Sequence, residues 1–172
     1  FMEHSYPVRL HRYALHMDSG GAGRFRGGCG VVREYEILAE QAVLAIRLDT
    51  VKNPPWGVAG GMSGGAGAAV VNPGMPGERH LPSLSDGTVL RRGDILRLST
   101  GGGGGWGHPH DRPAEAVLAD VRGGFVSAEA AGRDYGVAIA DGALDEAATA
   151  LLRAQRPPAG AFHRGTYADA LD

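Results

Sequence analysis

Of the 29 glycines in the chain, 18 fall in three clusters, at positions 20–30, 57–67 and 101–107. Glycine at this density serves a backbone that must approach something closely or take positive φ. The first cluster follows Asp18-Ser19 and contains Arg24-Phe25-Arg26-Gly27-Gly28. Free amides in such a loop can form a nest for an anion, and Arg24 and Arg26 can add a bidentate grip on carboxylate or phosphate. The same residues equally suit a shaped connection in which the arginines hold Asp18 or a neighbouring strand. In the second cluster Trp56 follows Pro54-Pro55 and can stack on a substrate ring or anchor a core or interface. In the third, Gly102, Gly104 and Gly107 satisfy G-x-G-x-x-G. A polyglycine run meets that pattern by chance, however. The next helix is expected near Pro113, too late to aim its N-terminus at the loop, and no Gly-Lys-Ser/Thr follows. A nucleotide fingerprint is therefore rejected, and close approach of this backbone to a neighbour or a ligand is expected, with Trp106 beside it. The candidate substrate, anion or interface residues are Asp18, Ser19, Arg24, Arg26, Gly27, Gly28, Trp56, Gly102, Gly104 and Trp106.

Other reactive residue types do not assemble into a constellation. His108-Pro109-His110-Asp111 has metal-ligand character, but no second cluster supplies further ligands, and Asp111 is better used as a helix cap, so no metal site is assigned. Cys29, between glycines, reads as a small buried residue with no base assigned to it. No G-x-S-x-G elbow or zincin motif occurs. No catalytic residue is assigned.

The elements that must carry these loops follow from periodicity. Residues 7–17 read as a strand whose apolar phase slips midway, which implies a bulge. Residues 30–38, 42–49 and 68–72 also read as strands, and 88–90 and 95–99 flank a turn signal at 91–94, the pattern of a hairpin. Beyond Gly107 the pattern turns helical. Asp111 is expected to cap a helix over 113–122, Ser127 one over 128–135 that stops at Gly136, and Asp145 one reaching about 155, with Ala148, Leu151 and Leu152 inward. The fold class is α+β: a β-rich body with three glycine-rich loops over 1–108, a small C-terminal helical cap over 109–156, and a flexible tail over 157–172. A net charge of −2 builds no basic field, which argues against nucleic acid. No apolar run approaches membrane-span length, no secretory signal is present, and one cysteine allows no internal disulfide, so a cytoplasmic, non-membrane protein is expected.

These motifs together resemble the hydantoinase B/oxoprolinase family. The likeness rests on Tyr6-Pro7-Val8, then Asp18 through Gly28 and Gly30 to Tyr35, then Pro54-Pro55-Trp56-Gly57, then Gly93-Asp94 through Trp106-Gly107. It continues through Ala119-Asp120-Val121-Arg122, Val126-Ser127 and Tyr135-Gly136-Val137 to Leu152-Arg153. It runs in order from about residue 6 to 155 and implies the C-terminal part of a B-type subunit. The chain begins at Phe1 and is expected to be a fragment or processed piece.

The resemblance implies membership of an ATP-dependent enzyme that opens cyclic amides such as hydantoins, 5-oxoproline or lactams, with the isolated chain inactive. In such an enzyme a hydantoinase A-type ATPase subunit phosphorylates the carbonyl oxygen of the amide. This creates a leaving group and an electrophilic carbon that water can attack. ATP and Mg are expected on that partner and a divalent metal in the N-terminal portion of the B-type subunit, with neither bound by this chain. The alternatives are a ketone carboxylase subunit on the same scaffold and a noncatalytic structural or interface fragment. Arg24, in a matched loop, is expected to matter more to the assembled enzyme than Arg156, which borders the tail.

Overall fold

The computed structural model describes residues 2–165. A short helix α1 (Met2–Ser5) leads into β1 (Val8–Leu15), β2 (Val31–Ile37) and β3 (Gln41–Arg47). Next come β4 (Gly57–Val58), β5 (Ala68–Val71), β6 (Arg79–His80), β7 (Leu84–Arg91) and β8 (Ile95–Ser99). The main sheet has the order β1-β2-β8-β5-β6, every pair antiparallel. The expected bulge in β1 is a register shift between Leu10 and Arg12.

Alternation along these strands separates two faces. Ile37, Val71 and Leu96 join Leu90 of the separate β3–β7 sheet in one buried cluster. The opposite face carries cross-strand charges, with Arg97 Nε 2.6 Å from Glu34 and Arg9 3.2 Å from Glu36. The turn at 91–94 forms, with Gly93 at φ 87°, but its flanking strands do not make the expected hairpin: β7 pairs with β3, and β8 with β2 and β5. Both strands bring a leucine to the same core from opposite layers, so the turn is a corner between sheets. Asp94 fixes that corner by accepting from the Arg91 amide (2.8 Å) and from Asn72 Nδ2 (2.8 Å).

The helical part comprises α2 (Ala114–Arg122), α3 (Ala128–Tyr135), the small ribbon β9 (Ala138–Ala140) with β10 (Ala143–Asp145), and α4 (Glu146–Ala154). Ser127 Oγ accepts from the Ala130 amide at 3.0 Å and Asp145 from Ala148 at 2.9 Å, both as expected. Gly136 ends α3 in the left-handed region at φ 61°. Asp111 does not cap α2, whose N-cap is Pro113 without a side-chain bond. It lies instead in a 3₁₀ turn (Pro109–Asp111) and is drawn to the guanidinium of Arg156. On α4, Leu151 faces outward at 69% exposure, and Thr149 takes the inward place, its hydroxyl accepting from the Ala138 amide at 3.0 Å.

This helical core consists of Val117, Val126, Ala130, Ala131, Tyr135 and Val137, and it includes Ala22 of the first glycine loop, with Met62 of the second packed against it. The tail, expected to be loosely held, is tied down over its described part. Pro157 O accepts from His108 Nε2 (2.9 Å), and β11 (Phe162–His163) pairs antiparallel with β4. The remainder of the expected flexible tail, 166–172, lies outside the described residues. No helix among those described is long and apolar enough to cross a membrane.

Candidate functional site

The three glycine clusters lie side by side and hydrogen-bond to one another through their backbones. Each cluster bonds to both of the others. Gly21 N donates to Gly103 O and Gly103 N to Gly28 O, both at 2.8 Å; Gly105 N donates to Met62 O (2.9 Å) and Met62 N to Ala22 O (2.7 Å). Gly65 N reaches Ser19 O (2.7 Å), and Gly102 N reaches Gly65 O (3.1 Å). Glycine is required by this spacing. A Cβ added at Gly102 would stand 1.8 Å from Ser19 O, and one at Gly104 1.8 Å from Trp56 O. The amides that satisfy neighbouring carbonyls in this way are not offered to an anion.

The candidate residues divide accordingly. Asp18, at φ 62°, accepts from the Ser127 amide (2.7 Å) and so pins the first loop to the start of α3. Ser19 is buried, donating to His16 O (2.5 Å) and accepting from Gly30 N (2.9 Å). Arg26 turns inward: its Nε is 3.4 Å from Asp120, its Nη1 donates to Gly27 O (2.6 Å), and its guanidinium lies 4.9 Å from the Phe125 ring centre. Gly27 is closely packed against Gly103 O, whereas Gly28 has open space where a Cβ would stand. Arg24 faces outward over the Phe25 ring at 5.7 Å. Trp106 and Trp56 are half exposed and packed on Phe25 and Phe162, at ring separations of 5.7 and 6.2 Å. Two sets thus emerge, an inward one that holds the helices on and an outward aromatic one.

The inward set includes groups that sequence reasoning missed. Asp120 of α2 is buried and lies 2.9 Å from Arg112 Nη2, as well as near Arg26. Tyr135 packs beside this trio, and burial pushes its phenol well above the usual tyrosine range. An acidic residue three positions after Val117, on the apolar side of α2, was the available signal.

His108 spends both ring nitrogens on the chain's own backbone. His108 Nδ1 accepts from the His110 amide (3.0 Å) and its Nε2 is engaged by Pro157 O. His110 is buried, and its pKa is lowered by that burial and then by the neighbouring His108, Arg153 and Arg156. Among the described residues no three His, Cys, Asp or Glu side chains are grouped to hold a metal. Cys29 is half-buried rather than buried, its Sγ 3.5 Å from Phe125 O. Two of the cavities are the most enclosed. One of about 280 Å³ lies between the second glycine loop and the tail, bordered by Met62, His108, Asp134, Pro158 and His163. Another of about 240 Å³ lies between the two sheets and is bordered by Val8, Tyr35, Leu44, Leu96 and Leu98.

Residues 1–109 match the family model described as hydantoinase B/oxoprolinase. Caprolactamase subunit beta of Pseudomonas jessenii is 42% identical over 162 residues, which is 89% of this chain and 27% of that protein. The crystal structure of the ATP-dependent caprolactamase from the same organism superposes with a TM-score of 0.76 at 38% identity, over 88% of this chain and 27% of that one. A nucleotide-free acetone carboxylase structure gives 0.72 at 25% identity, over 87% of this chain and 24% of that one. The chain spans about a quarter of the length of relatives such as the caprolactamase beta subunit and less than a tenth of the 5-oxoprolinases it matches.

Proposed function

Because the chain belongs to the hydantoinase B/oxoprolinase family, we propose that it is the C-terminal part of the B-type subunit of an ATP-dependent cyclic amide hydrolase that acts with an ATP-binding A-type partner. The similarity to the caprolactamase beta subunit carries this reading, since it extends through all three glycine loops and the helices bonded to them. Within that subunit the chain acts as scaffold. Many of its glycine amides are spent on neighbouring carbonyls, and its buried charges hold the helices on. Among the described residues no three His, Cys, Asp or Glu side chains are grouped, and this reading assigns ATP to the A-type partner and a divalent metal to the N-terminal portion of the B-type subunit. The chain alone is expected to show no ATP binding in calorimetry; micromolar binding would contradict that assignment. A cytoplasmic location suits an enzyme that consumes ATP.

The test is turnover by the full-length B-type polypeptide assembled with its A-type partner, offered caprolactam, hydantoin and 5-oxoproline. ATP-dependent release of the ring-opened acid is the expected result. The second reading, an ATP-dependent ketone carboxylase subunit, is favoured by the likeness to acetone carboxylase. ATP hydrolysis stimulated by a ketone only when bicarbonate is present, and by none of the cyclic amides, would replace the first reading with the second.

A further inference from the structure

The outward aromatic set has a geometry of its own. Phe25 pairs antiparallel with Trp106, Trp106 parallel with Val58, and Val58 antiparallel with Phe162. Residues directly opposite one another across neighbouring strands project to the same face. The three glycine loops and the tail therefore align Phe25, Trp106, Val58 and Phe162 in a lateral row about 14 Å wide, given a strand spacing of roughly 4.8 Å. Trp56, two residues before Val58, falls on the same face and meets Phe162 edge to face. All five are exposed, from 39% for Val58 to 62% for Phe162. The layer's remaining surface points elsewhere: Ala22 and Met62 pack into the helical core.

A contiguous row of exposed aromatics flanked by arginine has the composition of an interface centre. The flanking guanidiniums belong to Arg24, over Phe25, and Arg164, 5.0 Å from the Trp56 ring centre. Neither makes a direct ion pair among the described residues, Asp111 acting on Arg24 only at longer range, so both guanidiniums remain open to carboxylates on a surface that covers this row. We propose that the row is the docking face for the remainder of the B-type polypeptide, which meets it with an apolar centre and with carboxylates opposite Arg24 and Arg164. The proposal rests on the reading of this chain as one part of a longer subunit. Relatives carry about three quarters of their length outside the matched segment. A covalently linked neighbour acts at an effective concentration in the millimolar range, so it covers such a face ahead of a separate subunit or a second copy.

Hydroxyl-radical footprinting read by mass spectrometry tests this in the full-length B-type polypeptide, alone and with its A-type partner. Leu84 and Leu151, each 69% exposed, serve as references. The expected result is at least tenfold lower oxidation at Phe25, Trp56, Trp106 and Phe162, relative to the references and corrected for intrinsic reactivity, in the polypeptide alone. The double change Arg24→Glu with Arg164→Glu should raise oxidation of the row without changing the far-ultraviolet dichroism. An exposed row protected only when the A-type partner is added overturns the proposal and assigns the face to that partner. Protection that vanishes on dilution to monomer overturns it in favour of a second copy. Footprinting reads contact without turnover. A protected row in a protein that opens no cyclic amide would refute the functional reading alone, and an oxidised row in an active enzyme would refute this proposal alone.

Discussion

At the scale of single residues, the clearest consequence concerns glycines whose neighbours leave no room for a side chain. Gly104→Ala would drive a methyl into Trp56 O, and overpacking of this kind costs about 1–3 kcal/mol, occasionally more. Gly28→Ala meets nothing within 4 Å and should stay within about 0.5 kcal/mol of the parent. Urea midpoints of the two variants separate them; equal midpoints would show that the loops do not pack as described. Asp120 invites a second comparison. Asp120→Ala leaves Arg26 and Arg112 confined without a counter-charge, and breaking a buried pair from one side typically costs about 3–5 kcal/mol. Arg92→Ala removes only the exposed contact with Glu40, where about 0–1 kcal/mol is at stake. A denaturant series that found the two losses alike would refute the role given to Asp120.

At the scale of elements, Asp18 and His110 govern how the helical part sits on the glycine layer. Asp18→Ala removes the acceptor for the Ser127 amide at the start of α3, and the orphaned donor should cost about 1–2 kcal/mol. Hydrogen exchange in Ala128–Tyr135 should accelerate more than exchange in β2 or β8. His110 adds a dependence on pH. Its folded-state pKa is lowered by burial and by positive neighbours, while an unfolded histidine titrates near 6.5. As pH falls below about 6.5 the unfolded state takes the proton first, so stability present at neutral pH is lost progressively toward the folded pKa. Thermal midpoints between pH 7.5 and 5 should fall, and His110→Gln should flatten that slope; an unchanged slope would remove His110 from the account.

For the whole molecule, two separate cores form, and the glycine loops contribute to the helical one. The sheet core forms around Ile37, Val71, Leu90 and Leu96, and the helical core closes over Ala22 and Met62. Surface left over on the layer is aromatic and flanked by Arg24. In the assembled enzyme Arg24→Ala should therefore reduce activity more than Arg156→Ala, whose partner Asp111 only braces the tail. Equal specific activities for the two assembled variants would count against a role for the layer's outer face in assembly.

The sequence by itself determined a good deal. The phase slip in β1, the glycine that stops α3, the Ser127 and Asp145 caps and the three glycine clusters were all legible, because each depends on residues close together in the chain. The family was legible for a related reason: its motifs are local and keep their order. Tertiary structure alone decided what the glycines were for. Whether a loop's amides face an anion or a neighbouring carbonyl depends on which segments become neighbours, and Ser19, Gly65 and Gly102 are brought together across more than eighty residues. The same holds for Asp111, which prefers Arg156 to the α2 terminus, and for β7 and β8, whose turn signal resembles a hairpin's but joins two layers. The row of Phe25, Trp106, Val58 and Phe162 had no signature along the chain, since its alignment is a matter of register between strands that glycine allows to lie nearly in contact.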